Sequence, residues 1–110
     1  MCGIAGIVRF DGGAIHAADR ARAMRRNLKH RGPDDEGEIV LENAIFEHTR
    51  LSLLDREGGK QPMTTADGRY TLVFNGEIYN HLELRKELHF PFRTRSDTET
   101  ILAAFATWGF

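Results

Sequence analysis

The sequence predicts an α+β chain in which short antiparallel strands alternate with amphipathic helices. Three observations carry this reading. Apolar residues alternate over runs of only a few positions, bounded by Asp-Gly and Asn-Gly turns. Elsewhere they recur three and four residues apart, behind Asn or Ser caps. The chain has 110 residues, 41% hydrophobic and 28% charged, which suits one globular domain or a piece of one and argues against disorder.

The elements follow in order. Cys2 to Phe10 reads as a buried strand, with Gly3 and Gly6 marking close approach of another backbone or a ligand. Asp11-Gly12-Gly13 is a turn, and a helix is expected over Ala17 to Lys29, with Ala21, Met24 and Leu28 on its apolar side. Gly32 and Pro33 stop it. Glu38–Glu42 and Ala44–Thr49 form a hairpin around Glu42-Asn43, and Leu51 to Leu54 continues the apolar character. Asp67-Gly68 turns the chain into a strand carrying Tyr70, Leu72 and Phe74, which Asn75-Gly76 ends abruptly. Asn80 with Glu83 predicts a capping box for the next helix, and Ser96 with Glu99 repeats it for the last. Ile101, Leu102, Phe105 and Trp108 are that helix's stripe, with Gly109 past its end. The closing segment from Ala103 to Phe110 is apolar and looks like the middle of a core, which predicts a truncated chain.

Charge and composition exclude several classes. Fifteen basic against sixteen acidic side chains leave a formal charge of -1, too little field to gather a nucleic acid or an anionic membrane. No apolar run approaches the roughly 20 residues of a membrane span. No basic region followed by a long apolar one opens the chain, so no signal peptide is expected. The single cysteine excludes an intrachain disulfide framework, and a cytoplasmic protein is expected. Five histidines lack metal-ligand spacing, so no metal is expected. The phosphate-loop pattern is absent, and Gly3-Ile-Ala-Gly6 lacks the basic flanks of an RNA clamp.

Cys2 is the most informative position. Met1 is readily clipped when a small residue follows, and removal would leave a thiol and an α-amine on one residue. An α-amine titrates at about 7.7–8.0, which fits it to act as a general base for the thiol. The plainer reading is a small apolar residue at a strand end. Asn75-Gly76 can aim a side-chain NH₂ and a backbone N–H together as an oxyanion hole, or can simply be a turn with Glu77 as its solvated acid. Arg50 is a guanidinium on an otherwise apolar strand, suited to a carboxylate ligand or to a surface ion pair. Asp97 and Ser96 suit a helix start without any ligand. Arg31 and Asp34 read as residues that order the loop after the first helix.

Six stretches occur together in one order: Met1-Cys-Gly-Ile-Ala-Gly6, Arg31-Gly-Pro-Asp34, Arg50-Leu-Ser-Leu-Leu-Asp55, Gln61-Pro-Met63, Phe74-Asn-Gly-Glu-Ile-Tyr-Asn80 and Ser96-Asp-Thr-Glu99. With them the chain resembles the N-terminal glutaminase domain of glutamine-hydrolysing asparagine synthetases, class II amidotransferases of the Ntn-hydrolase fold. The resemblance implies an αββα sandwich of antiparallel sheets between helical layers, incomplete in this chain, with residues 1–110 as the N-terminal part of the domain. It implies Cys2 as nucleophile, Asn75 and the Gly76 N–H as oxyanion donors, Arg50 on the glutamine α-carboxylate, Glu77 and Asp97 on its α-ammonium, and backbone contact near Leu53. No cofactor is implied here; ATP and magnesium belong to a synthetase domain absent from this chain, which would be the partner that takes the ammonia. Unfinished sheet edges would invite association into a homodimer. The alternatives are a non-catalytic glutamine-binding module and the glutaminase domain of another class II amidotransferase.

Overall fold

The computed structural model describes residues 1–51 and 58–109. The expected apolar continuation beyond Leu51, and with it Leu53, lies outside the described residues.

The order of elements is β1 (Gly3–Val8), α1 (Ala18–Asn27), β2 (Asp35–Val40), β3 (Ala44–Arg50), β4 (Met63–Thr64), β5 (Thr71–Leu72), α2 (His81–Glu87) and α3 (Asp97–Trp108), with a 3₁₀ turn over Ala14–Ala17 leading into α1. β3 is central in a three-stranded antiparallel sheet of order β1-β3-β2, in which Gly3 faces Thr49 and Gly37 faces His48. β4 and β5 form a second, two-stranded antiparallel pair. The α+β expectation and the antiparallel pairing are therefore met. No helix among the described residues is long and apolar enough to cross a membrane.

The alternation of β3 sorts its residues onto two faces. Ile45, Glu47 and Thr49 lie under the first helix. Ile45 packs with Ala14, Ala17, Ala18 and Ala21, joined by Ile7 and Val40. The small alanines let helix and sheet approach closely, so this core is made of methyl groups rather than long side chains. The Thr49 hydroxyl donates to the Leu28 carbonyl at 3.0 Å. That bond, and the turn leading to Gly32, end α1 at Asn27, earlier than the expected Lys29. Met24 is exposed rather than part of the stripe, because the burying face is carried by the alanines one turn earlier.

Glu47 is 0% exposed on this same face. Arg25 reaches it from α1 with Nη1 2.7 Å from Oε2, while Arg22 clasps its cross-strand neighbour Glu38 through two bonds of 2.9 Å. Glu36 adds a third carboxylate, 3.4 Å from Arg25. Burial, reinforced by the Glu38 carboxyl, pushes Glu47 up to about 7, whereas the Arg22 bonds hold Glu38 below the usual carboxylate range.

Phe46, His48 and Arg50 occupy the other face. The expected buried strand over Cys2–Phe10 is thus buried on one side only: Ile4 and Val8 point away from α1 and are exposed. Phe10 is 98% exposed, since the chain leaves the sheet after Arg9 and turns through left-handed Gly12 and Gly13. The β2–β3 hairpin closes at Glu42-Asn43 as expected, with the Leu41 N–H donating to Ala44 at 2.7 Å.

The two capping boxes do not form as expected. Asn80 gives α2 no side-chain cap, and the carbonyl of Asn80 simply starts the helix by accepting from Leu84. Ser96 does cap α3, its Oγ accepting from the Thr98 N–H at 3.2 Å. Glu99, however, turns away from Ser96 and takes the N–H groups of Arg93 and Thr94, which stitch the preceding loop to the helix. Leu102 and Ala103 are buried on α3, and Phe105 meets Tyr70 edge-on at 5.0 Å. Trp108 is half exposed, near the helix end that Gly109 closes at φ 72°.

Candidate active site

A cavity of about 410 Å³ opens where the start of β1, the end of β3, the corner after β5 and the start of α3 meet. Cys2, Arg50, Asn75, Gly76, Glu77 and Asp97 all line it. The six described residues of the expected site, drawn from four separate stretches of the chain, therefore converge. The volume suits a small polar molecule such as an amino acid.

Each wall has a local cause. Cys2 lies one residue ahead of β1, whose pairing with β3 carries it to the end of that strand. Its Sγ receives the Leu51 N–H at 3.4 Å and lies 3.7 Å from the Leu51 carbonyl. The Cys2 carbonyl accepts from Arg31 Nε at 3.1 Å. The loop after α1 then runs along β3: Pro33 bridges Arg50, and the Asp34 N–H donates to the Arg50 carbonyl at 2.9 Å. Gly32 is pressed so closely onto this strand that an added Cβ would fall 2.3 Å from the Arg50 nitrogen. Arg31 through its side chain and Asp34 through its backbone thus tie the loop after α1 to Cys2 and Arg50.

The opposite wall is the corner Phe74-Asn75-Gly76-Glu77. It is tied to α3 by Asp97, whose Oδ2 accepts the Ile78 N–H at 2.9 Å. One carboxylate oxygen of Asp97 is thereby committed to the backbone, and the residue does more than favour the helix start. Met1 also borders the cavity and is 70% exposed.

Two residues of this region carried no role in the sequence. Gln61 lines the cavity and is buried at 9% exposure. His48 is buried beneath the corner, its Nε2 3.3 Å from the Phe74 carbonyl. Burial keeps the His48 ring below the usual imidazole range, so it is neutral at pH 7 and donates through Nε2–H. A histidine inside the Ala44–Thr49 strand was the one signal for His48, and the spacing of the chain offered none for the role of Gln61. Among the described residues no group of three or more His, Cys, Asp or Glu is placed to hold a metal.

A thiol, an amide–glycine corner, a guanidinium and two carboxylates thus surround one small cavity. The model of the glutamine amidotransferase domain family matches residues 1–110, and the chain belongs to that family. It is 40% identical over 107 residues to asparagine synthetase [glutamine-hydrolyzing] 1 of Saccharomyces cerevisiae, covering 96% of this chain and 18% of that protein. It is 40% identical over 111 residues to asparagine synthetase B [glutamine-hydrolyzing] of Escherichia coli, covering 99% and 20% respectively. For asparagine synthetase [glutamine-hydrolyzing] 1 of Bacillus subtilis the identity is 41% over 110 residues, covering 96% and 17%. The chain spans about a fifth of the length of these curated relatives.

Proposed function

We propose that this chain is part of a glutaminase domain that releases ammonia from L-glutamine through an N-terminal cysteine. The observation that carries the proposal is the convergence of Cys2, Arg50, Asn75, Gly76, Glu77 and Asp97 on one cavity. On this reading Met1 is removed, which converts the Cys2 backbone nitrogen from a peptide amide into a primary amine.

The chemistry then runs in two steps. The Cys2 thiolate adds to the side-chain amide carbon of glutamine, and the carbonyl oxygen becomes an oxyanion held by the Asn75 side chain and the Gly76 N–H. The α-amine of Cys2 carries the thiol proton to the departing nitrogen; the C–N bond breaks, ammonia leaves and a glutamyl thioester remains. Water then adds to the thioester, its proton returns to sulfur, and glutamate is released. Arg50 binds the α-carboxylate and Glu77 with Asp97 the α-ammonium, so the substrate is held at the end remote from the reaction.

The names of the relatives support an ammonia acceptor of the asparagine synthetase type, an ATP-dependent amidation of aspartate performed outside these 110 residues. The antiparallel pairing of β1-β3-β2 and of β4-β5 supports the αββα sandwich that belongs to the same reading. The test is labelling with a diazo-ketone glutamine analogue followed by peptide mapping. Adduct on the N-terminal peptide, with loss of glutaminase activity, is the expected result; adduct elsewhere overturns the site.

A further inference from the structure

We propose that Gln61, with His48 as its companion, is a positioning residue for the Asn75–Gly76 corner; the catalytic part of this proposal rests on the oxyanion reading given above. β5 ends at Leu72, so Phe74 has no ladder partner to fix it. Two side chains take the place of a ladder. Gln61 Oε1 accepts the Phe74 N–H at 2.5 Å, and His48 Nε2–H meets the Phe74 carbonyl at 3.3 Å. Both peptide planes flanking the Phe74 Cα are thereby held, by residues of two different segments. The second of those planes carries the N–H of Asn75.

The far end of the Gln61 amide is also engaged. Its Nε2 donates to Thr98 Oγ1 at 3.2 Å, in the first turn of α3 next to Asp97. Since a backbone N–H can only donate, Oε1 must face Phe74 and Nε2 must face Thr98, which fixes the amide orientation. The Gln61 backbone in turn is backed by β2, where a Cβ on Gly37 would fall 1.6 Å from the Gln61 carbonyl oxygen. Gln61 therefore has little room to shift, and it links the corner to the helix start that carries Asp97. An oxyanion donor displaced by about 1 Å loses on the order of 10²-fold in rate, whereas substrate held at its charged end binds much as before.

The test compares Gln61→Met, Gln61→Glu and Thr98→Val with the parent in steady-state glutamine hydrolysis and in amide hydrogen exchange. Gln61→Met is expected to lower kcat by about 10²-fold with KM within about threefold. Gln61→Glu, which can still accept from Phe74 and can accept from the Thr98 hydroxyl, restores kcat to within about tenfold. In an Asn75→Ala background the Gln61→Met loss shrinks below its value in the parent, because the part that acts through the Asn75 side chain is already gone and only the Gly76 N–H remains to be displaced. Exchange at the Phe74 amide quickens at least about tenfold in Gln61→Met while the β1–β3 amides keep parental rates. Parental kcat in Gln61→Met, a KM effect alone, or an undiminished loss beside Asn75→Ala overturns the proposal. If Gln61→Met does not fold, Thr98→Val decides: a several-fold fall in kcat at constant KM supports the clamp, and parental kcat overturns it. A parent whose hydrolysis does not depend on Cys2 refutes the glutaminase reading instead, and the Phe74 exchange rates then decide the clamp alone.

Discussion

The Leu51 N–H points at the sulfur of Cys2 from 3.4 Å. The Leu51 carbonyl lies 3.7 Å from the same sulfur, so one peptide residue meets the side chain through both its backbone groups. The nucleophile proposed here is thus held by the end of β3 rather than by a side chain, and its position depends on the pairing that joins β1 to β3.

Replacing the sulfur tests the core of the mechanism. Cys2→Ala is expected to abolish ammonia release while glutamine binding, followed by calorimetry, changes by less than about threefold. Parental turnover in this variant would refute the assignment. Retention of both binding and turnover in a chain that keeps Met1 would refute the role of the α-amine.

Asn75→Ala removes one oxyanion donor. Turnover should fall by roughly 10²–10³-fold with a much smaller change in KM, as measured by steady-state glutaminase assay. Equal effects on both parameters would assign Asn75 to binding.

Asp97 serves two purposes that substitution can separate. Asp97→Asn keeps an acceptor for the Ile78 N–H but loses the charge facing the substrate ammonium. A charged hydrogen bond is worth about 1.5–3 kcal/mol, so KM should rise on the order of tenfold or more with kcat less affected. Asp97→Ala should raise KM further and loosen the corner, visible as faster amide exchange at Ile78.

Much of this site is legible in the sequence because its chemistry is concentrated in small motifs. Cys2 after the initiator, Asn75-Gly76 after a strand and Asp97 behind a capping Ser96 each carry a local signal, and their common order carries the rest. The antiparallel pairing is legible too, through Glu42-Asn43 and Asp67-Gly68. Less visible is what depends on a partner distant in the chain. The Glu99 carboxylate fits a capping box by spacing, yet two backbone donors at Arg93 and Thr94 outcompete Ser96 for it. Ile4, Val8 and Phe10 read as core by composition, but only one face of β1 is covered by α1. Gln61 was invisible as a site residue, since its significance lies in two bonds to Phe74 and Thr98 that spacing does not encode.

The buried carboxylate beneath α1 predicts a pH dependence of stability. Glu47 binds its proton more tightly when folded, at about 7, than it does unfolded. Its contribution is therefore fully present below about 4.5 and is lost as pH rises through about 7. Glu47→Gln should remove that loss, so the stability of the variant relative to the parent should shift in the variant's favour between pH 5 and pH 8. Chemical denaturation at both pH values measures it; an equal change at the two would show that packing, and not the proton, is responsible.

Gly37 offers a steric check on the wall behind Gln61. A methyl group there would meet the Gln61 carbonyl at 1.6 Å, against backbone that cannot rotate aside. Gly37→Ala should cost about 1–3 kcal/mol of stability by thermal denaturation and should lower turnover with it. An unchanged melting temperature would show that the strand and the Gln61 segment are free to separate.

Met1 stands exposed two residues ahead of the first sheet pairing, between Gly3 and Thr49. Cleavage of the Met1–Cys2 bond would therefore open no ladder bond. On the reading argued above, a newly made polypeptide is dormant by a single peptide bond, and its awakening is a trimming event independent of when it folds.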